Sequence, residues 1–256
     1  ARRSIDLRGL RSLEGPGAHS WLLYEPRGRR VVSRLGTPRH EDVSPGIEDI
    51  PAEYQGARAW LLGPMPIERQ LDLTRHLASC AGRFVVVDPH VPLGAPTLDR
   101  WREVLTHADA FFVSHEELDL PGADTDPLGA FAAFGERLRF VGVKRAARGG
   151  TLIDRLEKKV MDWAPASEPV VDATGAGDAF AAGFAAGWLL SGGVEGALDR
   201  ARISAAIAIE NWGAHGFMGI SPEMAALRLA GGGVSATPTR RGTRTAEPRR
   251  GSGAAR

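Results

Sequence analysis

Val170-Val171-Asp172-Ala173-Thr174-Gly175-Ala176-Gly177-Asp178-Ala179-Phe180 reads as a strand end, a turn with two glycines, and a helix beginning at Ala176–Asp178. The first amides of a helix have no carbonyl one turn earlier to bond, and the helix dipole places partial positive charge at the same end. Packed into a tight turn, such amides form a nest for phosphate oxygens. Gly175 and Gly177 let the backbone come close to an anion, and Asp178 stands in the first helical turn beside it. A carboxylate at that place can accept a proton from an attacking hydroxyl. The plainer reading is that Asp178 caps the helix and the glycines only turn the chain.

Upstream, short apolar runs alternate with helical patterns. The strand candidates are 59–62, 84–87, 110–113 and 140–143, each apolar on both faces as buried parallel strands are. Helix candidates lie between them at 67–81, 98–107 and 127–138. Residues 20–24 and 30–35 flank a Pro/Gly turn and predict a hairpin, and a small strand pair is expected around 151–153 and 160–163. Downstream, helices are expected at 178–190, 194–211 and 222–229. The alternation predicts an α/β protein, a doubly wound, mostly parallel sheet with helices on both faces. Gly183-Phe184-Ala185-Ala186-Gly187 puts small residues at i and i+4, which suits close helix packing.

The chain of 256 residues has 32 basic and 31 acidic side chains, so no global field points to nucleic acid or a membrane surface as partner. The charge is uneven: residues 231–256 hold six arginines against Glu247, which leaves the body mildly acidic. That stretch is rich in Gly, Pro, Thr and Arg and is expected to be a disordered tail after a domain at 1–230. One cysteine, Cys80, rules out an internal disulfide framework and suits a reducing, cytoplasmic compartment. The most apolar run, 179–190, is too short for a membrane span. The histidines show no metal-ligand spacing.

The segment 172–178 resembles the D-T-x-G-A-G-D signature of the PfkB (ribokinase-like) carbohydrate kinases, with Ala173 where Thr is usual. Three further features follow in that family's order. Phe111-Phe112-Val113-Ser114-His115-Glu116-Glu117 sits where it has a strand ending in N-x-x-E. Val143-Lys144-Arg145-Ala146-Ala147-Arg148-Gly149 sits where it has a strand and a G-x-x-G loop. Asn211-Trp212-Gly213-Ala214 is similar to the turn beside the adenine pocket. The resemblance implies a ribokinase-like α/β/α sandwich that transfers phosphate from ATP to a hydroxyl of a sugar or nucleoside. On that resemblance Asp178 is the general base, and the amides of Gly175, Ala176 and Gly177 form the anion hole. Lys144, Arg148, Gly149, Gly213 and Ala214 line the nucleotide. Glu117 holds Mg²⁺ through water, and Asp172 matches a position that holds a monovalent cation in some members. The partner implied is a small-molecule sugar or nucleoside, and the hairpin admits a homodimer by analogy.

Departures from the pattern carry expectations of their own. Ser114 replaces the Asn of N-x-x-E. Ala146 replaces a glycine, which matters if that position needs a positive φ. Phe217 falls where cation-activated members place a small hydroxyl residue, which argues against a monovalent cation. Residues 1–60 match neither the substrate-holding Asp nor the Gly-Gly motif near the family's start, so an N-terminally incomplete acceptor site is expected, with exposed sheet edges. The competing reading is a catalytically silent nucleotide-binding or regulatory protein on the same fold.

Overall fold

The computed structural model describes residues 5–15, 17–25, 28–165 and 168–231. Strands β1 (Ser20–Glu25) and β2 (Gly28–Ser33) form the expected antiparallel hairpin, with Trp21 opposite Val32. After a short helix α1 (His40–Val43) come β3 (Ala59–Leu62), α2 (Ile67–Ala78), β4 (Phe84–Val87), α3 (Leu98–Thr106), β5 (Ala110–Ser114), α4 (Pro127–Ala130) and β6 (Phe140–Lys144). The chain continues through β7 (Gly150–Asp154), β8 (Lys159–Trp163), α5 (Ala176–Ser191), α6 (Val194–Ile209), α7 (His215–Gly219) and α8 (Pro222–Gly231).

Strands β3 to β8 form one sheet in sequence order; β3 to β6 are parallel, while β7 and β8 are antiparallel. The period of two along each buried strand divides its side chains between two cores. Val85, Val87, Phe111, Val113, Val141 and Val143 pack with Leu71 and Leu77 of α2 and with Trp101 and Leu105 of α3. Phe84, Val86, Phe112 and Phe140 pack on the other face with Phe180 and Phe184 of α5 and Ala197 and Ala201 of α6. Strands laid down in one direction by right-handed crossovers put α2 and α3 on the same face. The opposite face is filled by α5 and α6, which the chain reaches only after the β7–β8 hairpin. Helices thus cover both faces, as the alternation of elements implied.

Two glycine positions set the closeness of these layers. A Cβ on Gly142 of β6 would lie 2.3 Å from the Phe112 ring, so the missing side chain is what lets Phe112 reach Phe184, at 4.9 Å between ring centroids. On α5, a Cβ at Gly183 would lie 2.7 Å from the Arg200 carbonyl oxygen, and one at Gly187 would lie 2.7 Å from the Ala197 Cα. The small residues at i and i+4 therefore form the contact between α5 and α6.

The helix expected at 127–138 is a single turn, Pro127–Ala130, followed by turns. Its carbonyls are engaged elsewhere: the Arg155 guanidinium donates to the carbonyls of Phe134 at 2.8 Å and Gly135 at 2.8 Å, and also to Leu138. Gly135 is pressed against Thr106, where a Cβ would lie 2.7 Å from the Thr106 Cα. The Arg155 clamp holds the carbonyls at the end of this stretch, which a helix over 127–138 would also have left without partners, apart from that of Phe134. The tail expected at 231–256 lies, from residue 232 on, outside the described residues.

Candidate active site

Four parallel strands end at one edge of the sheet, and in such sheets the carboxyl ends of the strands form the ligand side. Gly63 follows β3, Asp88 follows β4, Glu117 closes a short 3-10 turn after β5, and Lys144 ends β6. The N-terminus of α5 comes down on the same edge. Gly175 precedes it in the left-handed region, at φ 80°, and the first helical bond runs from Ala179 N–H to the Gly175 carbonyl at 2.9 Å. The amides of Gly177 and Asp178 belong to the open first turn. Gly177 comes close to the lysine: a Cβ there would lie 3.0 Å from the Lys144 ammonium nitrogen. The Asp178 carboxylate is exposed and lies 3.7 Å from where a Cβ on Gly63 would stand.

Beneath the turn, Lys144 Nζ donates to Asp88 Oδ2 at 2.6 Å, and Asp88 is 4% exposed. Burial is the largest influence on that carboxyl, and Lys144 opposes it. The charges of Asp178 and Glu117 add to the upward push, and the result is a pKa raised to about 6. Asp88, Lys144, Glu117 and Asp178 are therefore one electrostatic cluster at the mouth of the glycine turn. A carboxyl ¹³C titration of Asp88 is expected to have its midpoint near 6; a midpoint in the ordinary carboxylate range would remove Asp88 from the cluster. Because the folded value is raised, the stabilising part of this group is full below the ordinary value and is lost as pH rises through about 6.

Asp88 was not singled out from the sequence, although it has a visible signal: an acid closing the apolar run Phe84-Val85-Val86-Val87 at the carboxyl end of a buried strand. Glu117 is half-buried, and its carboxylate accepts from Ser114 N–H at 3.3 Å in a capping box. Ser114, in place of Asn, thus serves as the cap of this turn. Asp172 accepts from Thr174 N–H at 2.9 Å and Gly213 N–H at 3.1 Å, bonds that hold its carboxyl below the usual range. It ties the glycine turn to the Gly213-Ala214 turn. Phe217 lies on α7, just beyond that turn.

Arg148 and Ala214 are exposed side chains on two separate turns. Gly149 is buried at φ 75°, where a Cβ would lie 2.0 Å from the Trp163 carbonyl oxygen, so glycine is obligatory. Ala146 stands in the left-handed region at φ 48°, the conformation for which a glycine would be the natural choice. The cost of an alanine there is about 1 kcal/mol. Among the described residues no helix is long and apolar enough to cross a membrane.

Comparison with known proteins places this geometry in context. Residues 55–218 match the pfkB family of carbohydrate kinases. The chain is 28% identical over 190 residues to a cytidine kinase of Thermococcus kodakarensis, covering 72% of this chain and 66% of that protein. It is 32% identical over 221 residues to an ATP-dependent ribose-1-phosphate kinase of Halopiger xanaduensis, covering 82% and 68%. The chain thus spans about two thirds of the length of these relatives. A structure of a putative ribokinase II from E. coli in complex with ATP and Mg²⁺ superposes with a TM-score of 0.61 at 18% identity, over 83% of this chain and 70% of that one. That likeness shows a ribokinase-like fold. The match over residues 55–218 takes in the glycine turn, Asp88, Glu117, Lys144 and Asp178 together, and the chain belongs to the pfkB family of carbohydrate kinases.

Proposed function

We propose that the chain transfers the terminal phosphoryl group of ATP to a hydroxyl of a sugar or nucleoside. The observation that carries this reading is the convergence of the Asp178 carboxylate, the open amides of Gly177 and Asp178 and the Lys144 ammonium at one helix end. Asp178, exposed in the first turn of α5, takes the proton as the hydroxyl attacks. The amides of Gly175 and Gly177 stabilise the charge that develops on the transferred group, while the Ala176 N–H, expected to join them, donates to the Ala173 carbonyl at 3.3 Å within the turn. Lys144, fixed by Asp88, adds a positive charge below the same oxygens.

Arg148, Gly149, Gly213 and Ala214 border the nucleotide, and Asp172 braces the last two against the glycine turn. In that bracing role Asp172 needs no monovalent cation. Hard oxygen donors suit Mg²⁺, and the half-buried Glu117 carboxylate, close enough to influence Asp88, fits such an ion held through water. Its chemistry there is to neutralise phosphate charge. The acceptors named for the two curated relatives, a nucleoside and a sugar phosphate, are the two classes to consider.

Titration calorimetry of the chain with Mg-ATP tests the reading. Saturable binding that Gly177→Val abolishes, in a chain that still unfolds cooperatively, is expected. A folded chain that binds no Mg-ATP would reduce the nest to a turn.

A further inference from the structure

The two loops that carry Gly63 and Asp88 to the glycine turn also border a second feature. Gln70 of α2, fully buried, donates its side-chain amide to the carbonyls of Gly63 at 3.0 Å and Asp88 at 2.7 Å, so the loops are tied together. Two or three residues further on, Pro66 and His90 open into a cavity of about 590 Å³. From Gly63, beside Asp178, to Pro66 is a span of at most about 10 Å. His40 of α1 completes the wall, its ring 4.4 Å from that of His90 in an edge-to-face arrangement. The buried Nδ1 of His40 has no hydrogen-bond partner among the described residues.

The charge of the lining discriminates between acceptor classes. Glu41, Glu68 and Asp72 line the cavity against the guanidinium of Arg69; outside it Glu68 pairs with Arg100 at 2.8 Å, while Arg39, which feels the charge of Glu41, is itself paired with Asp42 at 2.8 Å. A phosphate dianion placed here would meet a field of its own sign. Pro66, Ile67 and Val91 supply an apolar floor, and imidazole rings offer stacking faces. Carboxylates accept from an exocyclic amine.

We propose that this cavity receives the nucleobase of the acceptor, so that the acceptor is an uncharged nucleoside bearing a base amine rather than a sugar phosphate. This rests on the kinase reading for the position of the reacting hydroxyl, and it adds the residues that choose the acceptor: His40, Asp72 and Glu41.

The test is calorimetric titration of the chain with cytidine and with ribose 1-phosphate, in the absence of ATP. Cytidine is expected to bind the more tightly, and His40→Ala and Asp72→Ala are each expected to weaken it about tenfold, the loss of one good hydrogen bond. The affinity for Mg-ATP is expected to stay unchanged in both. Asp72 is exposed on α2, so its variant remains informative if His40→Ala fails to fold. Tighter binding of ribose 1-phosphate, no binding of cytidine, or cytidine binding that Asp72→Ala leaves unchanged would overturn the proposal. Phosphoryl transfer is assayed separately: nucleoside binding without transfer removes the kinase reading and leaves the cavity assignment, while transfer to ribose 1-phosphate alone does the reverse.

Discussion

Asp178→Asn is expected to lower phosphoryl transfer by about 10³-fold, the usual worth of a positioned general base. Asparagine keeps the size of the side chain and can still accept a hydrogen bond, but it cannot take the acceptor proton at neutral pH. Asp178 is exposed in the first turn of α5, so the change leaves the packed cores untouched. Removing one negative charge beside the phosphates does not weaken the nest of amides, and Mg-ATP affinity should be kept. The measurement is the rate of ADP release with nucleoside or sugar as acceptor, beside calorimetry with Mg-ATP. A catalytically silent nucleotide-binding protein would show no change in either, and residual transfer above a tenth of the parent rate would take the base role away from Asp178.

The second large effect concerns stability. Gly183→Leu should cost about 3 kcal/mol, at the upper end of overpacking penalties, because the new side chain meets backbone rather than a movable side chain. A Cβ at that position lies 2.7 Å from the Arg200 carbonyl oxygen and 2.9 Å from the Ala201 Cα. Helices α5 and α6 would have to separate, and Phe180 and Phe184 would be drawn off Phe112. Since α5 also carries Asp178 and the glycine turn, the same displacement would shift the site. Denaturant unfolding followed by tryptophan fluorescence measures the cost. A loss below about 1 kcal/mol, the low end for overpacking, would mean that the helices slide past each other freely.

Much of the fold follows from local pattern. The runs Phe84–Val87, Ala110–Val113 and Phe140–Val143 are short, apolar at every position and rich in β-branched and aromatic residues, which suits a strand covered on both faces. The glycine turn is equally local: Gly175 takes the left-handed conformation that only glycine adopts without strain, and the helix after it opens its amides there. Asp178, Gly175, Ala176 and Gly177 could therefore be named before any tertiary contact was known. Glu117 and Lys144 entered only through the resemblance of their segments to the family pattern.

What the tertiary structure alone decided are relations between residues far apart in sequence. The pairing of Asp88 with Lys144 spans 56 positions, and the carboxyl is raised because strands β4 and β6 bury it beside two other acids. No periodicity encodes that. The region 127–138 had helical spacing, yet it keeps one turn of helix, with Gly135 pressed against Thr106 and Arg155 from the β7 hairpin binding the carbonyls at its end. His40 and His90 became neighbours only because α1 folds back over the end of β4. Propensity and turn chemistry act over a few residues, so they are legible in one sequence. Burial, charge coupling and cavity lining depend on which distant segments the closed core brings together.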